Sequence, residues 1–202
     1  QAGMLEKKFR DEYPLALKKE YDFLKAKFKF DKPVSSPWKF LRLRPSNFPT
    51  LRISQFAQLV HSSSHLLSRI LECEKLSQLR KLFDVSSSEY WNTHYVFEKK
   101  SALRQKNLGI SAMDNIIINT VVPVIFSYGM YRSEENYKER ALKFLEQLAP
   151  EKNSIISKWE TLGIKAKSSF RSQALLELMN EYCSQKKCLH CGIGNKLIVS
   201  SS

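Results

Sequence analysis

Cys183, Cys188 and Cys191 have the spacing to do chemistry: C-x4-C-x2-C within nine residues, with His190 beside the last and only one other cysteine in the chain. The C-x2-C half lets two thiolates reach one ion from a single turn, as structural zinc sites require. The full triplet also matches the first three ligands of a plant-type two-iron, two-sulfur cluster. Zinc and an iron–sulfur cluster are therefore the cofactors to consider, and either lacks a fourth ligand here. Cys73, a histidine from elsewhere, or a residue outside this chain would have to supply it. Lys186 and Lys187 favour thiolates, whereas the negative end of a helix closing at Cys183 disfavours them. A Cys188–Cys191 redox pair and plain reduced thiols are the alternatives, and the βαβ pattern of a thioredoxin-like pair is not present.

A second set of residues is cationic. In Trp38-Lys39-Phe40-Leu41-Arg42-Leu43-Arg44, an extended backbone would put Leu41 and Leu43 on one side and Arg42 and Arg44 on the other. Lys39, Arg42, Arg44 and Arg52 would then reach phosphates, with Trp38, Phe40 and Phe48 available to stack on bases. The opposing expectation is that these arginines cap helix carbonyls and the aromatics are core. The chain carries 33 Lys and Arg against 20 Asp and Glu, a net +13. That balance favours a polyanionic partner or an acidic protein face.

The remaining candidates are weaker. His61 and His65 are four apart, as on a metal-binding helix, but Ser62-Ser63-Ser64 between them reads as a helix break. His94 sits in an aromatic patch with Tyr90, Trp91, Tyr95 and Phe97, where packing is the expectation. No carboxylate pair, phosphate loop or nucleophile with an evident base is found, so no catalytic residue is assigned.

The elements that must position these groups read as helices. Leu5, Phe9, Tyr13, Leu17, Tyr21, Leu24 and Phe28 recur by threes and fours, with Pro14 in a helix's first turn. Pro33-Val34-Ser35-Ser36-Pro37 is a linker, separating an N-terminal helical segment (1–32) from a main domain (38–202), the two forming one compact unit. A helix from Pro49 would bury Ile53, Phe56, Ala57 and Val60, and two short helices follow between the serine runs. Ser111-Ala112-Met113-Asp114 reads as a capping box opening a helix from Ile116 to Phe126. That helix is apolar all round, so it is expected to be the buried centre, kinked at Pro123. Stripes at 137–148, 155–162 and 170–182 complete the pattern, the last delivering Cys183. The fold class is all-α: antiparallel helical hairpins around a buried central helix, with at most a short extended segment near 40–44.

Trp38-Lys39-Phe40 with Arg42-Leu43-Arg44-Pro45-Ser46-Asn47-Phe48-Pro49, Ile118-Asn119-Thr120 with Pro123, Tyr128-Gly129, Ser172-Gln173-Ala174-Leu175, and Tyr182-Cys183 through Cys191 with Ile193-Gly194 form an ordered set of motifs. By them the chain resembles the C-terminal half of domain-of-unknown-function family 2851, a family of bacterial proteins. The resemblance implies a substantial N-terminal region, nuclease-like in character, outside this chain. Any catalytic carboxylates would lie there, and none transfers onto a position here.

Clustered cysteines point to a reducing compartment. The chain opens on Gln1, as a piece of a longer protein would, without a signal peptide. The apolar run Ile116–Met130 is shorter and more polar than a span of ~20 apolar residues. A cytoplasmic location with no membrane partner is expected. The expected function is a non-catalytic binding module of a larger protein, contacting DNA or RNA through its basic surface. The alternative is a structural or protein-interaction domain packing on its own missing N-terminal region.

Overall fold

The computed structural model describes residues 3–30, 38–40 and 42–199. Among the described residues it is all-α apart from one two-stranded hairpin, and the chain divides into two compact units. The first comprises Gln1–Leu66 and Leu82–Gly109, the second Leu67–Lys81 and Ile110–Ser202. The division therefore does not fall at residues 33–37, which lie outside the described residues. The reason is long-range: aromatic residues near position 90 hold the N-terminal helix in the same unit.

In the first unit, α1 (Glu12–Phe28) starts with Pro14 in its first turn, where a missing N–H costs nothing. It ends at Lys29, whose left-handed backbone (φ 50°) returns an N–H to the Lys25 carbonyl. After Pro45–Asn47, a short 3-10 turn, α2 runs from Pro49 to Ser62. Its buried residues are Thr50, Leu51, Gln55 and Leu59. The expected stripe is thus the wrong one, because Ile53, Phe56, Ala57 and Val60 are exposed. Hydrogen bonding explains the inversion. Gln55 Nε2 donates to the Lys106 carbonyl at 3.1 Å, and Thr50 Oγ1 to the Tyr95 carbonyl at 2.6 Å, so both polar residues turn inward satisfied. Strands β1 (His94–Val96) and β2 (Lys99–Lys100) form the hairpin.

In the second unit, α3 (Leu66–Glu72) and α4 (Leu76–Phe83), whose outer residues Leu66, Leu82 and Phe83 fall in the first, are followed by a helical run in three parts. These are α5 (Ile110–Ile116), a π-helical segment Ile117–Val121, and α6 (Val122–Arg132). The π segment sits immediately before Pro123. A proline ring clashes with the carbonyl four residues back, and one extra residue in the turn moves that carbonyl away. The Val122 N–H accordingly bonds the Ile117 carbonyl, and Asn119 Nδ2 donates to the Asn115 carbonyl at 3.0 Å.

This run is not buried on every side. Met113, Ile117, Ile118, Val121, Val122, Ile125 and Gly129 are buried, while Asn115, Asn119, Thr120, Val124 and Ser127 are exposed. At 23 residues, Ile110–Arg132 is long and apolar enough to cross a membrane by length and composition alone, longer than the expected Ile116–Met130 stretch. Within the unit its Asp114 accepts a two-point bond from Arg80 of α4, at 2.8 and 2.9 Å. That contact also replaces the expected capping box: α5 already begins at Ile110, and the Asp114 carboxylate is committed to Arg80.

α6 and α7 (Glu135–Gln147) form an antiparallel hairpin through left-handed Ser133. They approach so closely at Gly129 that an added Cβ would lie 3.0 Å from both Tyr137 Cβ and the Glu134 carbonyl oxygen. α8 (Ser154–Thr161) is capped by Asn153 Oδ1, which accepts from the N–H groups of Ile155 and Ile156. Gly163 (φ 83°) closes its far end. α9 (Ser169–Glu177) continues as a π-helical segment, Leu178–Cys183, and α10 (Gly192–Val199) follows a 3-10 turn at Cys188–His190.

Candidate binding surfaces

The three cysteines occupy three different local settings. Cys183 ends the π-helical segment and is exposed, Cys188 opens the 3-10 turn and is exposed, and Cys191 is buried. The turn between them is tight. The Cys191 N–H bonds the Cys188 carbonyl, and a Cβ on Gly194 would meet that same carbonyl oxygen at 2.5 Å. Cys73 is buried in the α3–α4 turn, where its Sγ donates to the Arg69 carbonyl and burial pushes the thiol pKa up. Among the described residues no group of three or more His, Cys, Asp or Glu side chains is arranged to hold a metal ion. His61 and His65 lie on either side of the break after α2, with His65 in a left-handed turn (φ 58°).

The predicted cationic residues separate into two groups. Lys39, Arg42 and Arg44 are exposed. Leu41 lies outside the described residues. Arg42 is left-handed (φ 60°), so a turn stands where the extended segment was expected. Arg52 is instead an internal strut: its guanidinium donates to Gln55 Oε1 at 2.8 Å and Asn47 Oδ1 at 2.6 Å. Burial lowers its pKa from the ordinary arginine value. Expected stacking aromatics are likewise in use. Phe40 packs edge-on against Phe48 at 5.4 Å, and Phe48 against Tyr95 at 6.4 Å, while Trp38 stays 39% exposed. From Lys32 to Leu71 the sequence contains no Asp or Glu, so no acidic residue of that stretch offsets these cations.

Behind this segment, the turn Glu89–Asn92 and the hairpin build an aromatic core. Tyr13 of α1 stacks on Tyr90 at 4.5 Å, and the other face of Tyr90 covers His94 at 4.0 Å with planes 1° apart. Tyr13 Oη accepts from Trp91 Nε1 and Ser88 Oγ at 3.3 and 3.1 Å. Tyr90 Oη donates to Asp11 Oδ2 at 2.8 Å and accepts the Glu98 N–H at 3.0 Å. Burial foremost, then the acidic neighbours, push the Tyr90 phenol up to about 12.

His94 Nδ1 lies 2.9 Å from the Tyr90 carbonyl, which can only accept, so Nδ1 carries the proton. Its buried Nε2 faces Asp11 Oδ2 at 3.7 Å. Nothing in the sequence around His94 signals this neighbour, because Asp11 lies far along the chain. Lys106, also buried, threads the core from the other side. Its Nζ donates to the Trp91 and Asn92 carbonyls and lies 4.2 Å from the Tyr95 ring centroid. Burial lowers its pKa. Each of these polar groups is tied to another part of the unit, an arrangement that holds α1 against the hairpin.

That attachment leaves a largely apolar cavity beside α2. The cavity, of about 280 Å³, is lined by Met4, Leu5, Leu17, Tyr21, Ile53, Ala57, Trp91 and Phe97, with Glu6 its one carboxylate. Tyr21 Oη is buried and has no hydrogen-bond partner. The exposed residues Phe56 (62%) and Val60 (52%) extend the Ile53–Ala57 wall along α2.

The first unit thus presents an acid-free cationic segment and a largely apolar cavity on an all-α scaffold. The chain belongs to the family described as "Protein of unknown function (DUF2851)", whose model matches residues 1–154. The matched stretch contains the cationic segment, the aromatic core and the cavity; the cysteine turn lies beyond it. No curated protein and no solved structure matches the chain.

Proposed function

We propose that this chain is a non-catalytic binding module of a larger protein, engaging nucleic acid through Lys39, Arg42 and Arg44. The observation that carries this reading is the exposure of these three cations within a stretch that holds no carboxylate from Lys32 to Leu71. With no carboxylate in their own stretch of sequence, they raise the local concentration of phosphate and release counterions when they bind it. The left-handed turn at Arg42 breaks the strand geometry that would have set the two arginines in alternation with Leu41 and Leu43.

Fluorescence anisotropy with a labelled DNA duplex and a single strand tests this. Three phosphate contacts give a log Kd against log salt slope of magnitude roughly 2 to 3. The double variant R42A/R44A weakens binding to both probes alike, with the slope reduced by about one per arginine removed. Absence of binding at low salt contradicts the reading.

A second reading, a protein-interaction domain, is supported by the apolar stripe that α2 leaves exposed.

A further inference from the structure

We propose that the C-terminal end of α1, where the rings of Phe23, Phe28 and Phe30 gather around Lys27, is a stacking platform for the bases of single-stranded nucleic acid. This rests on the nucleic-acid reading and narrows it from phosphate binding in general to an unpaired strand. The way the helix stops builds the platform. Lys29 is left-handed and the Phe30 N–H returns to the Lys25 carbonyl at 3.1 Å, so the chain folds back. Phe30 thereby lies on Phe28, with centroids 5.7 Å apart and planes 19° from parallel. Lys27 Nζ lies over Phe28 and Phe23, 5.3 and 6.0 Å from their centroids, and ties the third ring to the pair. Phe23 and Phe28 still remain 59% and 57% exposed. Rings held by one another and by a cation are ordered before a ligand arrives, so stacking on them costs little side-chain entropy.

Two observations choose the occupant. The first is charge. From Phe23 to Arg44 the sequence holds Lys25, Lys27, Lys29, Lys32, Lys39, Arg42 and Arg44 against Asp31 alone, with Glu20 and Asp22 just before it on α1. That excess complements a polyanion. The second is the mixing of rings and cations. In Leu24-Lys25-Ala26-Lys27-Phe28-Lys29-Phe30 lysines alternate with apolar residues, and Lys27 sits over ring faces. A helix lying in a membrane interface instead segregates its cations from its apolar face. A single strand carries phosphates and base faces side by side, which is what interleaved cations and rings fit. In a duplex each base face is covered by the next, so only an unpaired strand uses the rings. Phe30 and Lys39 are nine residues apart, a chain reach of at most about 32 Å. About ten nucleotides at ~3.4 Å each cover that distance, so one strand reaches both the rings and the arginine turn.

The test uses the full chain, a fluorescein-labelled oligothymidylate of about 15 nucleotides and a duplex of equal length. At one salt concentration the parent is expected to bind the single strand at least about fivefold more tightly than the duplex. The variant F23L/F28L keeps apolar surface but removes two π-faces. It weakens single-strand binding at least about tenfold and leaves duplex binding unchanged. Its salt slope on the single strand stays parental, since stacking releases no counterion. F23W/F28W, which restores the π-faces, binds the single strand at least as tightly as the parent. Both positions are exposed, so circular dichroism of each variant stays as in the parent. Parental single-strand affinity in F23L/F28L, or an equal loss on the duplex, overturns the proposal. So does capture of phosphatidylserine vesicles in preference to the strand, or displacement of the strand by polyglutamate as readily as by unlabelled oligothymidylate. Duplex binding without preference for the single strand removes this inference and leaves the phosphate reading standing, whereas absence of binding to either probe removes both.

Discussion

Tyr13 lies nearly flat on Tyr90, ring centroids 4.5 Å apart and planes 15° from parallel. This stack joins the first turn of α1 to the turn before the hairpin, and with Tyr90–Asp11, 79 residues apart in sequence, it sets where α1 lies. The cavity beside α2 exists because α1 is held there. Tyr13→Ala removes the stack and the acceptor for both Trp91 Nε1 and Ser88 Oγ. A loss of about 2–4 kcal/mol in urea unfolding is expected.

Tyr90 gives a pH-dependent version of the same test. Its phenol is raised from 10.0 to about 12 in the folded state, so its stabilising contribution is complete below pH 10. Above that the unfolded chain ionises first, and the contribution is lost as pH rises through the folded value. Tyr90→Phe is therefore less stable than the parent by about 1 kcal/mol at pH 8, and the gap closes toward pH 12. Thermal melts of the pair at several alkaline pH values check this. A gap independent of pH would contradict the arrangement at Asp11 and Glu98.

These relationships mark how much the sequence could say. Helical periodicity placed most of the helices because three-to-four spacing is local information. It identified the α2 stripe as one face but assigned it to the wrong side of the helix. Spacing does not say which face is covered, and Thr50 and Gln55 turn inward only because the Tyr95 and Lys106 carbonyls, far along the chain, receive them. The same limit applies to Ile116–Phe126, where uniform apolarity suggested full burial and one face is open. Lys39, Arg42 and Arg44 were legible as exposed cations. Arg52 was not distinguishable from them, since its two acceptors depend on how the 3-10 turn folds back onto α2.

Lys106 is the buried cation that ties the turn at 91–92 to the rest of the first unit. Lys106→Met keeps much of its volume but removes the ammonium donor to the Trp91 and Asn92 carbonyls, which keep only the N–H groups of Thr93 and Arg104. A destabilisation of about 2–3 kcal/mol is expected, seen in chemical denaturation. Burial lowers the Lys106 pKa, so the unfolded chain binds more protons just below pH 10.5, and this residue alone makes stability rise with pH in that window.

Close approach at Gly129 gives an independent check on the second unit. Gly129→Ala places a methyl group 3.0 Å from Tyr137 Cβ and from backbone at Glu134. Separation of the α6–α7 hairpin should cost about 1–3 kcal/mol despite alanine's better helix propensity. A neutral or stabilising result would contradict the packing.

The cysteines make a prediction by accessibility. With Cys183 and Cys188 exposed and Cys73 and Cys191 buried, a thiol reagent should label two sites fast and two slowly in the folded chain. If Cys183, Cys188 and Cys191 share an ion as their spacing suggests, zinc addition will protect Cys183 and Cys188. Unchanged kinetics would leave them as free thiols.

The division of labour between Arg52 and the pair Arg42 and Arg44 carries the central claim, and a salt titration of nucleic-acid binding tests it most directly. Anisotropy on a labelled duplex, repeated over a range of salt concentrations, compares the parent with R42A/R44A and R52A. The account predicts a double variant of unchanged stability whose affinity falls and whose salt slope shrinks by about 2. It predicts that R52A is less stable by about 1–2 kcal/mol yet, while folded, keeps the parental slope. A parental slope in R42A/R44A would contradict it.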